Sequence, residues 1–301
     1  MAKNLLFIYN PCAGKGKIRS KLMEIISVLA DSGYEVTVHP TKGKGDAVCA
    51  VKQKKRRYDL VVCSGGDGTL NEVVTGMMEC AKKVPIGYIP AGSTNDFAAT
   101  LGLPKNMVQA ARIAVGGKKF PCDIGGFNQE TFAYIAAFGN FTDVSYETPQ
   151  RYKNMLGHMA YVLEGMKRLP SLRAYHMRVE FNDQIIEDQF LFGMITNSTS
   201  VGGFKKLAGK YVELNDGLFE VTLLRKLKNP SDINQIMTTL MTEGMNAEYM
   251  NADCIIYART KRIAFYSQEP VSWTLDGEYG GDHKEVEVVS KPQALEIMIP
   301  D

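Results

Sequence analysis

The stretch Ser64-Gly65-Gly66-Asp67-Gly68-Thr69-Leu70-Asn71-Glu72 sets glycines and one acid between an apolar run and a segment of helical spacing. Glycines let a backbone turn tightly and bring its amides close to phosphate oxygens, and a helix N-terminus that follows favours negative charge. An acid inside an anion-binding loop needs a cation between itself and the anion, so Asp67 reads as a metal-linked residue. A plain strand-to-helix turn with Asp67 as its cap explains the same residues. Two further loops favour the phosphate reading. Asn10-Pro11-Cys12-Ala13-Gly14-Lys15-Gly16-Lys17 follows the apolar run Leu5 to Tyr9, and Pro90-Ala91-Gly92-Ser93-Thr94-Asn95-Asp96 follows Ile86 to Ile89. Each joins small residues to hydroxyl, amide or ammonium donors that suit phosphate. Neither G-x-x-x-x-G-K-[ST] nor G-x-G-x-x-G is matched, which disfavours those nucleotide folds.

Far downstream, Asp276 and Glu278 flank Gly277 after the strand-like run Val271 to Leu275. A spacing of two in extended chain points both carboxylates to one side. Phosphate transfer to an alcohol needs a base for the hydroxyl proton and a metal to offset phosphate charge, so paired acids are the expected equipment. Asp-Gly is also a common hairpin turn, and spacing does not choose between the two acids as proton acceptor.

These residues need a frame. With 301 residues, 45% of them hydrophobic, the chain can bury a sizeable core, and its length suggests two domains. A net charge of +2 from 35 basic and 33 acidic residues gives no field that argues for nucleic acid. Cys12, Cys49, Cys63, Cys80, Cys122 and Cys254 form no CxxC pair and suit a reducing cytoplasm. The short N-terminal apolar run does not suit a signal peptide, and no apolar stretch approaches the ~20 residues that span a bilayer.

The first 122 residues alternate strand and helix signals. Strands are expected at Leu5 to Tyr9, Glu35 to His39, Asp59 to Cys63 and Ile86 to Ile89. Helices are expected from Ile18 to a stop at Gly33, and over Asp46 to Arg57, Leu70 to Cys80 and Met107 to Val115. That order implies an α/β domain with a mostly parallel sheet, whose ligands bind beyond the carboxyl ends of the strands. Residues 123–290 change to short alternating strands at Thr131 to Ala137, Tyr175 to Phe181, Gln189 to Thr196, Phe219 to Leu224, Arg262 to Tyr266, Val271 to Leu275 and Lys284 to Val289. This predicts a β-rich, sandwich-like domain, with one helix over Met155 to Leu169 and residues 291–301 returning to the first domain.

In these motifs the chain resembles the bacterial diacylglycerol kinases and related lipid kinases that share GGDGT, a group allied to the sphingosine kinases and NAD kinases. Asn10-Pro11, Thr41 with Gly45-Asp46-Ala47, GGDGTLNEVV, Pro90 to Phe97, Ser145 to Pro149, Leu214 to Phe219 and Asp276 to Gly281 carry the resemblance, most closely to the Gram-positive branch. It implies a kinase of the NAD kinase/phosphofructokinase-like fold that uses ATP and Mg2+ to phosphorylate a lipid. By the resemblance, ATP meets Asn10, Pro11, Cys12, Ala13, Gly14, Lys15, Thr41, Gly66, Asp67, Gly68, Thr69, Leu70, Asn71, Glu72 and Ser93. Family members usually have Thr where Ser93 stands, and the hydroxyl is retained. The resemblance also makes Glu278 the proton acceptor with Asp276 beside it. It puts a structural magnesium at Glu213, Asp216 and Leu218, where it would tie the domains together near Asp67. Relatives are often homodimers.

The implied partner is diacylglycerol or a similar lipid, met by peripheral contact from the cytoplasmic side of the membrane, with no nucleic acid involved. Lys52, Lys54, Lys55, Arg56 and Arg57 on the predicted helix read either as a solvated face or as a patch for anionic headgroups. Met155, Leu156, Met159, Val162, Leu163 and Met166 read as a core-facing stripe or, with the basic residues nearby, as a groove for acyl chains. NAD kinase is a rival, but it carries a later Asn-Glu pair for its adenosine ligand, whereas the only Asn-Glu pair here is Asn71-Glu72 inside the loop, and that reading leaves DGEYGG unexplained. A kinase for another hydroxyl lipid, or a nucleotide-binding regulator without catalysis, would also account for the loops.

Overall fold

In a computed structural model the described residues are 3–53, 57–139, 173–201, 212–229, 232 and 254–301. The chain opens β1 (Lys3–Tyr9), α1 (Leu22–Asp31), β2 (Tyr34–Pro40), α2 (Asp46–Lys52), β3 (Leu60–Gly65), α3 (Asp67–Met78), β4 (Ile86–Pro90), α4 (Asp96–Thr100) and α5 (Met107–Gly116). Strands β2, β1, β3 and β4 lie side by side and parallel in that order. The near-continuous apolar sequence of β1, β3 and β4 follows from cover on both faces, while β2 at the edge is only partly buried. Residues of alternate parity in β1 supply two cores. Leu6 and Ile8 pack with Ala47, Val73 and Val74 from α2 and α3, whereas Leu5 and Phe7 pack with Ile25, Leu29 and Ala111 from α1 and α5.

The remaining strands are β5 (Lys118–Phe127), β6 (Glu130–Phe132), β7 (Ile135–Gly139), β8 (Tyr175–Phe181), β9 (Gln184–Thr196), β10 (Phe219–Arg225), β11 (Ile255–Thr260), β12 (Arg262–Leu275) and β13 (Glu278–Ile299). Except for the parallel pair between β13 and β4, they pair antiparallel. Their core is aromatic. The Trp273 ring centroid lies 4.9 Å from Phe138 and 5.1 Å from both Phe127 and Phe265. Such edge and offset contacts add about 0.5–1.5 kcal/mol per pair beyond area burial.

β13 joins the two parts. It begins beside the Asp276-Gly277 turn, pairs with β12, and ends with Ile297 against Ile86 of β4. A break in its pairing with β5 falls between Lys291 and Leu295, around Gln293 with φ +48°. The chemistry-bearing turn and the phosphate-loop sheet are therefore tied by one strand.

Several expected elements differ. Arg262 to Tyr266 and Val271 to Leu275 belong to one strand, β12, and the expected run Thr131 to Ala137 splits between β6 and β7. The split falls at Ala133 and Tyr134, whose amides are turned toward a carboxylate. α1 begins only at Leu22, because Gly14, Lys15 and Gly16 all have positive φ and distort the turn before it. α2 stops at Lys52 rather than Arg57, since Gln53 is already extended. Lys52 itself is ion-paired with Glu79, the residue that follows α3. Residues 54–56, the Ser145 to Pro149 motif and the predicted helix Met155 to Leu169 lie outside the described residues. Among the described residues no helix is long and apolar enough to cross a membrane.

Candidate active site

The three small-residue loops meet at the carboxyl ends of β1, β3 and β4. Asn10 donates its amide to the Ser64 carbonyl at 2.9 Å, while the Ala91 and Gly92 amides donate to the Gly65 carbonyl at 2.8 and 3.2 Å. Close approach requires glycine at two of these points. A β-carbon on Gly14 would fall 2.1 Å from the Ala91 carbonyl oxygen, and one on Gly92 would fall 2.5 Å from Gly66 Cα. Because Gly14 also has φ +54°, Gly14→Ala suffers both strain and a backbone clash. That variant is expected to lose about 2 kcal/mol or more of stability, read as a lower melting temperature.

Asn95, itself left-handed at φ +54°, braces the third loop by accepting from the Gly92 amide at 2.9 Å and donating to the Gly92 carbonyl at 2.8 Å. Ser93 stays exposed beside it, with its hydroxyl at the surface. Lys15 is exposed too, and Cys12 donates its amide to the Asn10 side chain at 2.9 Å. Thr41 is held to the end of β1 by its amide, which donates to Tyr9 at 2.9 Å.

Within the GGDGT loop the side chains have separate tasks. Leu70 is fully buried and Thr69 nearly so, and their amides donate to the Gly66 carbonyl at 3.2 and 3.1 Å, closing the first turn of α3. Glu72 turns away from the loops' open side. It accepts from the Gly45 amide at 2.7 Å and from the Ala47 amide at 3.1 Å, and so fixes the Thr41 to Asp46 loop against α3. Asp46 tightens that loop from within, accepting from the Lys42 amide at 2.8 Å.

Asp67 opens α3, where its carboxylate takes long hydrogen bonds of 3.3 and 3.4 Å from the Asp96 and Phe97 amides. Burial, and then the nearby Asp96 carboxylate, push it up to about 6. Asp96 is bonded from across the fold by the Ser200 hydroxyl at 2.6 Å. Oxygen donors crowded with negative charge suit a hard divalent cation. No group of three or more His, Cys, Asp or Glu able to hold one occurs among the described residues. An ion here would thus share its shell with phosphate and water, as magnesium usually does.

The expectation that Asp276 and Glu278 point the same way fails, because Asp276 and Gly277 are not extended. Their φ values of +50° and +85° make them the centre of a two-residue hairpin turn between β12 and β13. Asp276 is buried, accepting from the Ala133, Tyr134 and Ile135 amides at 2.6, 2.9 and 3.0 Å and from Asn71 Nδ2 at 2.5 Å. Burial is the largest influence on its pKa and raises it, against the opposing pull of those bonds. Glu278 instead stands in the open beside the first turn of α3. Its Oε1 lies 3.4 Å from where a Gly68 β-carbon would sit, and its Oε2 lies 3.7 Å from Lys44 Nζ. A carboxylate with free lone pairs thus faces the phosphate loops, beside the residue that follows Asp67.

The turn containing Glu213, Asp216 and Leu218 is stabilised differently. Asp216 accepts from the Leu218 amide at 2.9 Å and is ion-paired to Arg259, which also lies 3.3 Å from buried Glu220. The cation facing Asp216 in this structure is this guanidinium. Sequence reasoning passes over Asp123, a fully buried acid that accepts from the Gly217 and Gln293 amides at 2.6 Å each. An acid inside the apolar run around Cys122 and Ile124 is the available signal.

Comparison with known proteins adds to this geometry. A family model described as the diacylglycerol kinase catalytic domain matches residues 4–127, and one described as the YegS C-terminal NAD kinase beta sandwich-like domain matches residues 142–299. The diacylglycerol kinase of Bacillus subtilis is 37% identical over 281 residues, 93% of this chain and 91% of that protein. That of Staphylococcus haemolyticus is 36% identical over 282 residues, 93% and 84% of the two chains. The solved structure of a putative diacylglycerol kinase from Bacillus anthracis superposes with a TM-score of 0.81 at 23% identity, covering 99% of this chain and 95% of that one.

Proposed function

The chain belongs to the diacylglycerol kinase family, and from that premise we propose that it transfers the terminal phosphate of ATP to the free hydroxyl of diacylglycerol, giving phosphatidic acid. Lipid phosphotransfer and nucleotide use follow from the family itself. The observation that carries the finer reading is Glu278, an exposed carboxylate held beside Gly68 where three glycine-bearing loops converge.

The segments Asn10 to Gly14 and Gly66 to Glu72, with the Lys15 ammonium and the Ser93 hydroxyl, would bind and orient the triphosphate at the start of α3. Thr41 closes the same side of the site. Magnesium bound with the nucleotide would draw on Asp67 and supply charge neutralisation on the phosphates. Glu278 accepts the hydroxyl proton as the alcohol oxygen bonds to the γ-phosphorus and the bond to the β,γ-bridging oxygen breaks, releasing ADP. Asp276 positions Glu278 by fixing the turn. Its oxygens are turned inward onto four N–H groups, away from an incoming alcohol. An apolar substrate calls for peripheral contact with the inner face of the membrane, and a homodimer is part of the same proposal.

Glu278→Gln tests this directly. Nucleotide affinity and melting temperature should stay near wild type, while labelled phosphatidate formed from ATP and diacylglycerol micelles falls about 10²- to 10⁴-fold. Labelled NADP in a parallel reaction with NAD, with no labelled phosphatidate, would overturn the assignment.

A further inference from the structure

The Thr41 to Asp46 loop carries Lys44, whose side chain the kinase reading leaves unused. Glu72 holds this loop from behind through two amides, and Asp46 holds it from within. The loop's backbone is therefore fixed relative to α3, and Lys44 leaves it toward the gap between the phosphate loops and the Asp276-Gly277 turn. Its ammonium reaches 3.7 Å from Glu278 Oε2, while Glu278 Oε1 sits against Gly68. A cation, the open carboxylate and the helix N-terminus thus meet at one place, contributed by α2's entry loop, the start of β13 and the start of α3.

As a surface ion pair this contact does little. Both side chains are more than half exposed, at 78% and 57%, and such pairs contribute close to nothing to stability. Its interest is its location. The surrounding acids Asp67, Asp96, Asp276 and Glu278 would repel a triphosphate, and Lys44 brings positive charge to the side from which the acceptor oxygen must approach.

Resting on the kinase reading, we infer that Lys44 is a phosphoryl-binding residue for this reaction. Before nucleotide arrives its ammonium rests on Glu278. When the terminal phosphate enters, the ammonium exchanges the carboxylate for a γ-phosphoryl oxygen and leaves Glu278 free to take the hydroxyl proton. The bond changes are those of the kinase step, from the alcohol oxygen forming a bond to phosphorus through to loss of ADP. Lys44 contributes only charge, on oxygens that gain it as the phosphoryl group moves.

The test compares wild type, Lys44→Met, Lys44→Arg and Glu278→Gln in ATP-to-diacylglycerol transfer, with ATP and ADP binding followed by calorimetry. Lys44→Met should melt like wild type, lose about 10- to 100-fold in kcat/KM, and lose affinity for ATP several-fold while its ADP affinity is unchanged. Lys44→Arg should recover most of both. Unaltered kcat/KM and ATP affinity in Lys44→Met would overturn the inference, as would equal loss of ATP and ADP affinity, which marks a merely structural role. If wild type makes no phosphatidate, the kinase reading falls on its own, and the ATP-against-ADP comparison still decides what Lys44 binds.

Discussion

Asp67→Asn is expected to make the ligand-free protein more stable and catalytically dead. Asp67 pays for its position, since burial and the neighbouring Asp96 raise it from 3.8 to about 6. That shift corresponds to up to about 3 kcal/mol held against the ionised form, and an amide removes it while giving up only one of the two long bonds from the Asp96 and Phe97 amides. The difference has a defined pH window. Below pH 3.8 the carboxyl is neutral in folded and unfolded chains alike, and the two proteins should melt together. Between there and about 6 only the unfolded chain ionises, so wild-type stability declines as pH rises. Above about 6 the variant should keep its full advantage, several degrees in melting temperature. Turnover should fall at least ~100-fold, and magnesium with nucleotide should raise the wild-type melting temperature more than the variant's. A variant that melts below wild type at pH 8 would show that Asp67 is held by stabilising contacts, and the case for a cation-requiring carboxylate would go with it.

The phosphate loops are legible in the sequence because their constraints are local. Tight turns and close backbone approach leave few residue choices, and Gly14 and Gly92 register those limits within a few positions of the strands they follow. The parallel sheet is legible for a similar reason, as buried strands are apolar on both faces. What escapes depends on partners far away in the chain. Nothing near Asp276 announces that residues 133–135 and Asn71 will wrap it, and nothing near Glu72 announces that it will hold Gly45 and Ala47. β13 reads as separate runs because Lys291-Pro292-Gln293 interrupts its alternation, although the strand resumes beyond the break. β11 is passed over because its apolar run Ile255-Ile256-Tyr257 is short and has no alternation with polar residues to mark it as a half-exposed strand.

Asp276 and Glu278 should part company when each is replaced. Truncating Asp276 to Ala leaves three backbone amides of residues 133–135 and the Asn71 side chain facing an apolar void, at a position with no access to water. Losing one member of such a buried, charge-assisted set costs about 3–5 kcal/mol. Asn at this site does not rescue it, because its NH2 group must face donors. The hairpin that presents Glu278 loses its anchor at the same time, since the Asp276 amide and carboxylate both bind Ile135. Asp276→Ala is therefore expected to lower the melting temperature by roughly 6–20 °C and to lose transfer in proportion to the displaced Glu278. Glu278→Gln, standing in solvent, should melt like wild type and yet transfer almost nothing. Both variants are best compared well below their melting points, where folded protein can be counted by nucleotide binding. An Asp276→Ala protein that melted within a degree of wild type and had lost all phosphatidate formation would make Asp276 the reacting acid. Glu278 would then be reduced to a rim residue, and the proton would have to leave toward the buried side of the turn.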